Sequence, residues 1–328
     1  MAGRGTRLRP HTITVPKPLV KVAGISIVHR LVEDLTQSSD EPIDEIAFII
    51  GDFGNEVEEY LTQLANDLGA KASIYHQDQK LGTAHALLCA QNSLEGNLIV
   101  AFADTLFRSD FKLDASQDGI LWVQQVEDPR AYGVVTLNDE GTVTEFVEKP
   151  TEFVSDLAII GIYYFKDGKQ LKDDLQYLID NDIKDKGEYQ LTNALENLKN
   201  KGKKFKVQKI DEWLDCGNQN ALIHANERVL SFKEETNVVH SDAQIINSVI
   251  IKPCYIEQGV CIKDAVIGPY VTIHHNATIE QSVIRNSIIN DHAHVTDSIL
   301  DQSMIGSHSF CDGTAKSLSL GDYSGMKD

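Results

Sequence analysis

The chain has 328 residues, 42% hydrophobic and 24% charged, which is enough for two soluble domains with a sizeable core. Its net charge is −19, divided as −14 before residue 236 and −5 from there on, so neither part offers the cationic field that nucleic acid or an anionic membrane requires. The five cysteines (Cys89, Cys216, Cys254, Cys261, Cys311) form no CxxC pair and no run approaches a membrane span, so no disulfide framework, zinc cluster or secretion is indicated, and a cytoplasmic protein with reduced thiols is expected.

In chain order the first feature is a loop, GRGTRLRP followed by PKP. Glycines permit positive φ and close backbone approach, so successive amides can point at one phosphate while arginine and lysine neutralise it. Gly3, Gly5, Thr6, Arg7 and Lys17 form one such constellation. It lacks the G-K-[ST] ending of a P-loop and the third glycine of a dinucleotide fingerprint. Loops of this kind normally follow a β-strand, and only Met1 and Ala2 precede this one. A vacant inner strand position would leave backbone groups unpaired at about 1–3 kcal/mol each. The expectation is therefore that the natural protein starts about half a dozen residues upstream.

Strand-like and helix-like segments then alternate to about residue 235, the pattern of an α/β domain. IDEIAFIIG and GNLIVAFAD read as buried strands, NEVEEYLTQLANDL and GTAHALLCAQ as helices. Antiparallel strands are expected around YGVV and VEKP, another buried strand at DLAIIGIYYF, and a closing helix at QNALIHANERVLSF. Asp104 is expected at the end of a strand, where open α/β sheets put ligand-contacting residues, and Asp215 lies in WLDCG. Glu148 and Lys149 should point to opposite faces of their strand unless a bulge intervenes.

The texture changes after KEETNVV. Ile245, Ile251, Ile256, Ile262, Ile267, Ile273, Ile279, Ile284, Ile289, Val295, Leu300 and Ile305 recur every five or six positions. That period matches the hexapeptide repeat of a parallel β-helix, in which each coil stacks one aliphatic residue per face on its neighbours. The expected domains are thus 1–235 and 236–328.

AGRGTRLRPHTITVPKPL resembles the signature of the sugar-1-phosphate nucleotidyltransferases, and QDQKLGTAHA, FADTLF, YGVV, EKP, GIYYF, GEYQLT and WLDCGN follow in that family's order. With its repeat tail the chain is most similar to the long-form glucose-1-phosphate thymidylyltransferases, and the tail to the left-handed β-helix appended to several nucleotidyltransferases and acyltransferases. The resemblance implies a Rossmann-like mixed-sheet α/β domain, here without its first strand, followed by a short left-handed β-helix. It implies Mg²⁺ held by Asp104 and Asp215, with Arg7, Lys17 and Lys149 as catalytic cations. It implies nucleotide contacts from Ala2, Gly3, Gly5, Thr6, Gln77, Gly82 and Thr83, with Gln77 and Gly82 reading a pyrimidine edge that uracil and thymine share. Tyr132, Gly133, Glu148, Lys149, Gly161, Tyr163 and Lys186 would bind the sugar phosphate. Lys186 and Asn193 stand where related enzymes usually carry arginine and aspartate, and lysine lacks the bidentate fork of arginine.

The implied partners are a nucleoside triphosphate and a sugar 1-phosphate, with a homo-oligomer expected and no nucleic acid or membrane. Two other classes compete. A non-catalytic regulatory relative would have lost Asp104, Asp215 or Lys17, and all three are present. An acyltransferase activity in the tail would use one of His240, His274, His275, His292, His294 and His308 as base, although histidine at a β-helix turn is more often a solvated or stacking residue.

Overall fold

The computed structural model describes residues 5–109 and 112–313. The chain divides into two compact units, one holding residues up to 20 together with 25–218, the other residues 21–24 together with 219 onward.

The first unit is α/β. Helix α1 (Ile27–Ser38) is started by Ser26, whose hydroxyl accepts from the main-chain N–H of His29 at 3.2 Å. Strand β1 (Glu45–Ile50) leads to α2 (Asn55–Asp67), which buries Val57, Leu61, Leu64 and Ala65 as one helical stripe. Strand β2 (Lys71–His76) pairs in parallel with β1 along its whole length. After α3 (Thr83–Cys89) come β3 (Leu98–Ala101), β4 (Thr105–Arg108) and β5 (Gly119–Gln125). Then follow β6 (Gly133–Leu137), β7 (Val143–Glu148), β8 (Leu157–Phe165), α4 (Gly168–Asp180), α5 (Leu191–Asn200), β9 (Phe205–Lys209) and β10 (Glu212–Asp215).

The main sheet runs β9-β5-β8-β6-β7 and is mixed, with β9 parallel to β5 and the other pairs antiparallel. Its central strand β8 is buried along almost its whole length, so LAIIGIYYF is apolar without alternation. One side of β8 is covered by β5; the other is shared, with Ala158 opposite Val134 of β6 and Ile162 to Phe165 opposite β3. At Gly161 the ladder shifts register and φ is +85°, where a Cβ would come within 2.9 Å of the Phe102 ring. Among the described residues, the edges of β1 and β3 that line the cleft described below pair with no further strand.

The second unit is a left-handed parallel β-helix of about four turns with α6 (Gln219–Phe232) packed on it. Its three faces are parallel ladders, whose inward columns are Ile245-Ile262-Ile279-Val295, Ile250-Ile267-Ile284-Leu300 and Ile256-Ile273-Ile289-Ile305. The repeat expected from the sequence is therefore present with one correction. Ile250, not Ile251, points inward in the first coil, because the pair Val249-Ile250 stacks in register on Val266-Ile267, and Ile251 is left 43% exposed. One corner column, Asn247, Asp264, Gln281 and Asp297, has positive φ without glycine, in a conformation that short polar side chains tolerate best.

Residues 21–24 belong to this second unit. Asn226 of α6, fully buried, accepts through Oδ1 from the Ala23 N–H at 2.9 Å and from the Thr272 hydroxyl at 2.7 Å. A Cβ on Gly24 would lie 2.2 Å from the Tyr255 ring, so only glycine passes there. Lys21 reaches Asp291 at 3.5 Å and Glu257 at 3.8 Å. Replacing Asn226 by leucine removes an acceptor shared by two buried donors and is expected to cost about 2 kcal/mol or more in urea unfolding, whereas Asn226→Asp, which keeps the acceptor, should lose less.

Candidate active site

The first unit encloses an open cleft of about 1580 Å³, and most of the residues singled out in the sequence line it. Its front is the glycine loop. Gly5 takes φ +59° ahead of a 3₁₀ turn (Thr6–Leu8), and its carbonyl accepts from the Leu8 N–H at 3.0 Å and the Thr12 hydroxyl at 2.7 Å. A Cβ at Gly5 would meet the Lys17 Cβ at 2.9 Å, so the glycine lets the lysine stem pass. Ala2 and Gly3 lie outside the described residues.

Lys17 donates to Asp104 Oδ2 at 2.9 Å, with the lysine side chain only 13% exposed. Strand β3 ends at Ala101, and Asp104 sits in the turn that leads into β4. β4 pairs with β10 so that Thr105 faces Asp215, and the Cys216 N–H donates to the Asp104 carbonyl at 3.1 Å. Two aspartates 111 positions apart in sequence are thereby neighbours. Burial raises the pKa of Asp215 and the Asp104 charge adds to it, against the opposing pull of Lys17, the Gly217 N–H and Arg7. A Cβ on Gly217 would lie 2.8 Å from Asp215 Oδ1, so the carboxylate also needs that glycine. Both carboxylates line the cleft. Two hard oxygen donors with open space beside them fit Mg²⁺.

On the sugar side the structure departs from simple strand alternation. Lys149 follows β7 with φ +44°, which turns its ammonium back to within 3.4 Å of Glu148 Oε1, so the two side chains share a side. Glu148 Oε2 accepts from the Thr192 hydroxyl at 3.3 Å, and Gly133 leaves room for it. Lys186 does not line the cleft. Its ammonium donates to the Lys149 carbonyl at 3.0 Å and so braces the left-handed turn there. Tyr132 packs edge-on against Trp213, and burial raises its phenol pKa, with the Asp215 charge adding to this and Arg7 opposing it. Tyr163 is core as well as cleft lining, packed against Phe102 and Phe165, and burial pushes its phenol well above the usual range.

On the base side, Gln77 is buried and donates through Nε2 to the Gly82 carbonyl at 3.1 Å and toward His85 Nδ1 at 3.2 Å. Gly82 takes φ +115°, and a Cβ there would also lie 2.3 Å from the Tyr189 carbonyl oxygen. The Thr83 hydroxyl donates to Gln190 Oε1 and accepts from the Leu191 N–H, so it starts α5 as much as it faces the cleft. Lys80, Thr192 and His85 are not singled out in the sequence. Each lies inside a string that is, and only the fold shows that Lys80 and Thr192 line the cleft while His85 stands behind Gln77.

These features have counterparts in known proteins. Residues 1–231 match the family model described as nucleotidyl transferase, and residues 231–311 the one described as GlmU-like, C-terminal hexapeptide. The chain belongs to the nucleotidyl transferase family. Its similar relatives include the low-salt glycan biosynthesis nucleotidyltransferase Agl11 of Haloferax volcanii, 29% identical over 99% of this chain and 98% of that one. The glucose-1-phosphate thymidylyltransferase of Streptomyces antibioticus is 30% identical over 88% and 85%. A solved structure of UDP-glucose pyrophosphorylase complexed with UDP-glucose superposes with a TM-score of 0.59 over 71% of this chain and 96% of that one, at 23% identity, which shows the shared fold. The resemblance to sugar-1-phosphate nucleotidyltransferases seen in the sequence holds.

The histidines of this nucleotidyl transferase's tail are engaged with one another or with a neighbouring aromatic or carboxylate side chain. His292 and His308 stack with centroids 4.7 Å apart, His275 meets His292 edge-on, His294 stacks on Phe310, His274 is buried beside Glu257, and His240 pairs with Asp242. Among the described residues all five cysteines are free thiols, and no helix is long and apolar enough to cross a membrane.

The raised Asp215 pKa carries a stability consequence. A carboxyl whose pKa is higher folded than unfolded is favoured in its protonated form by folding, so its charge costs stability above the ordinary carboxylate range. Asp215→Asn should therefore melt at a higher temperature than the native protein at neutral pH without divalent metal, and the difference should close on acidification to about pH 4. Thermal melting against pH checks it.

Proposed function

We propose that the chain joins a sugar 1-phosphate, glucose 1-phosphate foremost, to a nucleoside triphosphate, dTTP foremost, to give an NDP-sugar and pyrophosphate. The observation that carries this reading is the Lys17–Asp104 pair at 2.9 Å with Asp215 beside it, in a cleft that Arg7 and Lys149 also line. An oxygen of the sugar phosphate attacks the α-phosphorus in line. The new O–P bond forms as the bond from that phosphorus to the oxygen bridging to the β-phosphate breaks, and pyrophosphate leaves with the bridging oxygen.

The protein's task is to hold two anions together that otherwise repel and to stabilise the charge that shifts between them. Arg7, Lys17 and the amides around Gly5 and Thr6 serve the triphosphate, Lys149 serves the sugar phosphate, and Glu148, held by Thr192, accepts from sugar hydroxyls. Asp104 and Asp215 are the residues that would hold Mg²⁺, which when bound supplies charge neutralisation at the phosphates.

A UTP-dependent reading is the alternative, since the edge that Gln77 addresses is common to uracil and thymine. Acyl transfer in the β-helix has less support, because the tail histidines are taken up in stacks and pairs. The tail is better suited to assembly with further copies. Val249, Val266, Val283 and Ile299 stack in register on the outside of one flat face, and Ile299 is 86% exposed.

Asp104→Asn should lower pyrophosphate release at least about 100-fold while circular dichroism stays native; near-normal release would refute the assignment. Ile299→Lys should reduce the oligomer seen by light scattering after size exclusion, and an unchanged mass would remove this face from assembly.

A further inference from the structure

The Gln77 side chain has one carbonyl oxygen and one NH₂ group, and which of them faces the cleft decides what the cleft can recognise. The main-chain N–H of Gln77 donates to the Ile50 carbonyl at 2.8 Å, which fixes where the side chain leaves the backbone. Both N–H bonds of its amide are spent inside the protein, one on the Gly82 carbonyl at 3.1 Å and the other on His85 Nδ1 at 3.2 Å. The opposite orientation would set the amide oxygen against the Gly82 carbonyl, two acceptors with no proton between them. With Nε2 so engaged, Oε1 is the remaining polar atom of an amide that lines the cleft.

His85 can accept only when neutral with its proton on Nε2. Burial lowers its pKa, which keeps it neutral at pH 7. The other group near Nδ1 is the Cys89 thiol at 4.0 Å, a weak donor whose own pKa burial and Asp78 raise.

We propose that His85 is a positioning residue for base choice. Together with the Gly82 carbonyl it locks the Gln77 amide so that the cleft offers an acceptor, and no donor, from this side chain. Uracil and thymine carry N3–H, which such an acceptor takes; cytosine carries a lone pair there, which it repels. This rests on the transferase reading, in which Gln77 meets the base, and adds to it the residue that fixes which end of the amide the base meets.

The test is steady-state pyrophosphate release by the full chain with dTTP, UTP and CTP at saturating glucose 1-phosphate, for the native protein, His85→Leu and His85→Asn. The native protein should favour dTTP and UTP over CTP at least tenfold in kcat/KM. His85→Leu should lower that ratio three- to tenfold, the size of one neutral hydrogen bond, through the KM for dTTP and UTP, with kcat and the KM for glucose 1-phosphate within twofold. His85→Asn, which carries a carbonyl oxygen at the place of Nδ1, should restore the ratio. His85→Thr makes the same removal with a smaller side chain should the leucine variant fail to fold, as judged by its melting temperature. The inference is overturned if the ratio and the nucleotide KM stay within twofold of native, if all three nucleotides lose equally, or if asparagine restores nothing. A native protein that turns over dTTP, UTP and CTP alike overturns this inference but leaves the transferase reading standing, whereas one that releases pyrophosphate with none of them overturns both.

Discussion

The cleft is organised by the repulsion between two carboxylates that the backbone forces together. β4 and β10 pair so that Asp104 and Asp215 stand side by side, and a half-buried aspartate beside a second one is stable only with cations close by. Lys17 meets this demand directly, and Arg7 contributes from the same loop. Gly5 and Gly217 are then required for space, one beside the lysine stem and one beside the Asp215 carboxylate. The two carboxylates, Lys17 and Arg7 thus gather at one end of the open cleft.

Around it, strained backbone is placed where side chains must be aimed. Lys149 holds a positive φ that an extended strand end would not give it, and Lys186 anchors its carbonyl. Gly82 and Gly161 occupy conformations whose neighbours leave no room for a Cβ. Such positions cost of order 1–3 kcal/mol for residues other than glycine and persist because the surrounding sheet and helices fix both flanks.

Much of the architecture was legible from sequence because it rests on period. The β-helix follows from a recurring aliphatic at five or six residues, and the misplacement of Ile251 shows the limit. Two adjacent isoleucines satisfy the same spacing, and only the ladder of Val249-Ile250 on Val266-Ile267 chooses between them. The residues of the cleft were legible as strings, GRGTRL, QDQKLGTAHA, VEKP and WLDCG, and the fold brings most of them to one place. What sequence could not give is the direction of individual side chains. The resemblance implies a phosphate contact for Lys186, but spacing alone does not show that left-handed turns at Lys149 and at Lys186 itself bring its ammonium to the Lys149 carbonyl. His85 went unnoticed because its partner is eight residues away and only a strand-to-helix turn brings them together.

The path of the polypeptide through residues 21–24 has a topological consequence. The chain leaves the α/β unit four residues after Lys17, lends a short segment to the neighbouring unit, and returns at Ile25. No single proteolytic nick or truncation can therefore release either half intact. A fragment ending near 218 would strip Ala23 and Gly24 of Asn226 and Tyr255, and an isolated tail would lack the four residues lying on it. The two halves are separate as folded bodies but not as pieces of sequence, which sets this arrangement apart from domains joined by a single linker.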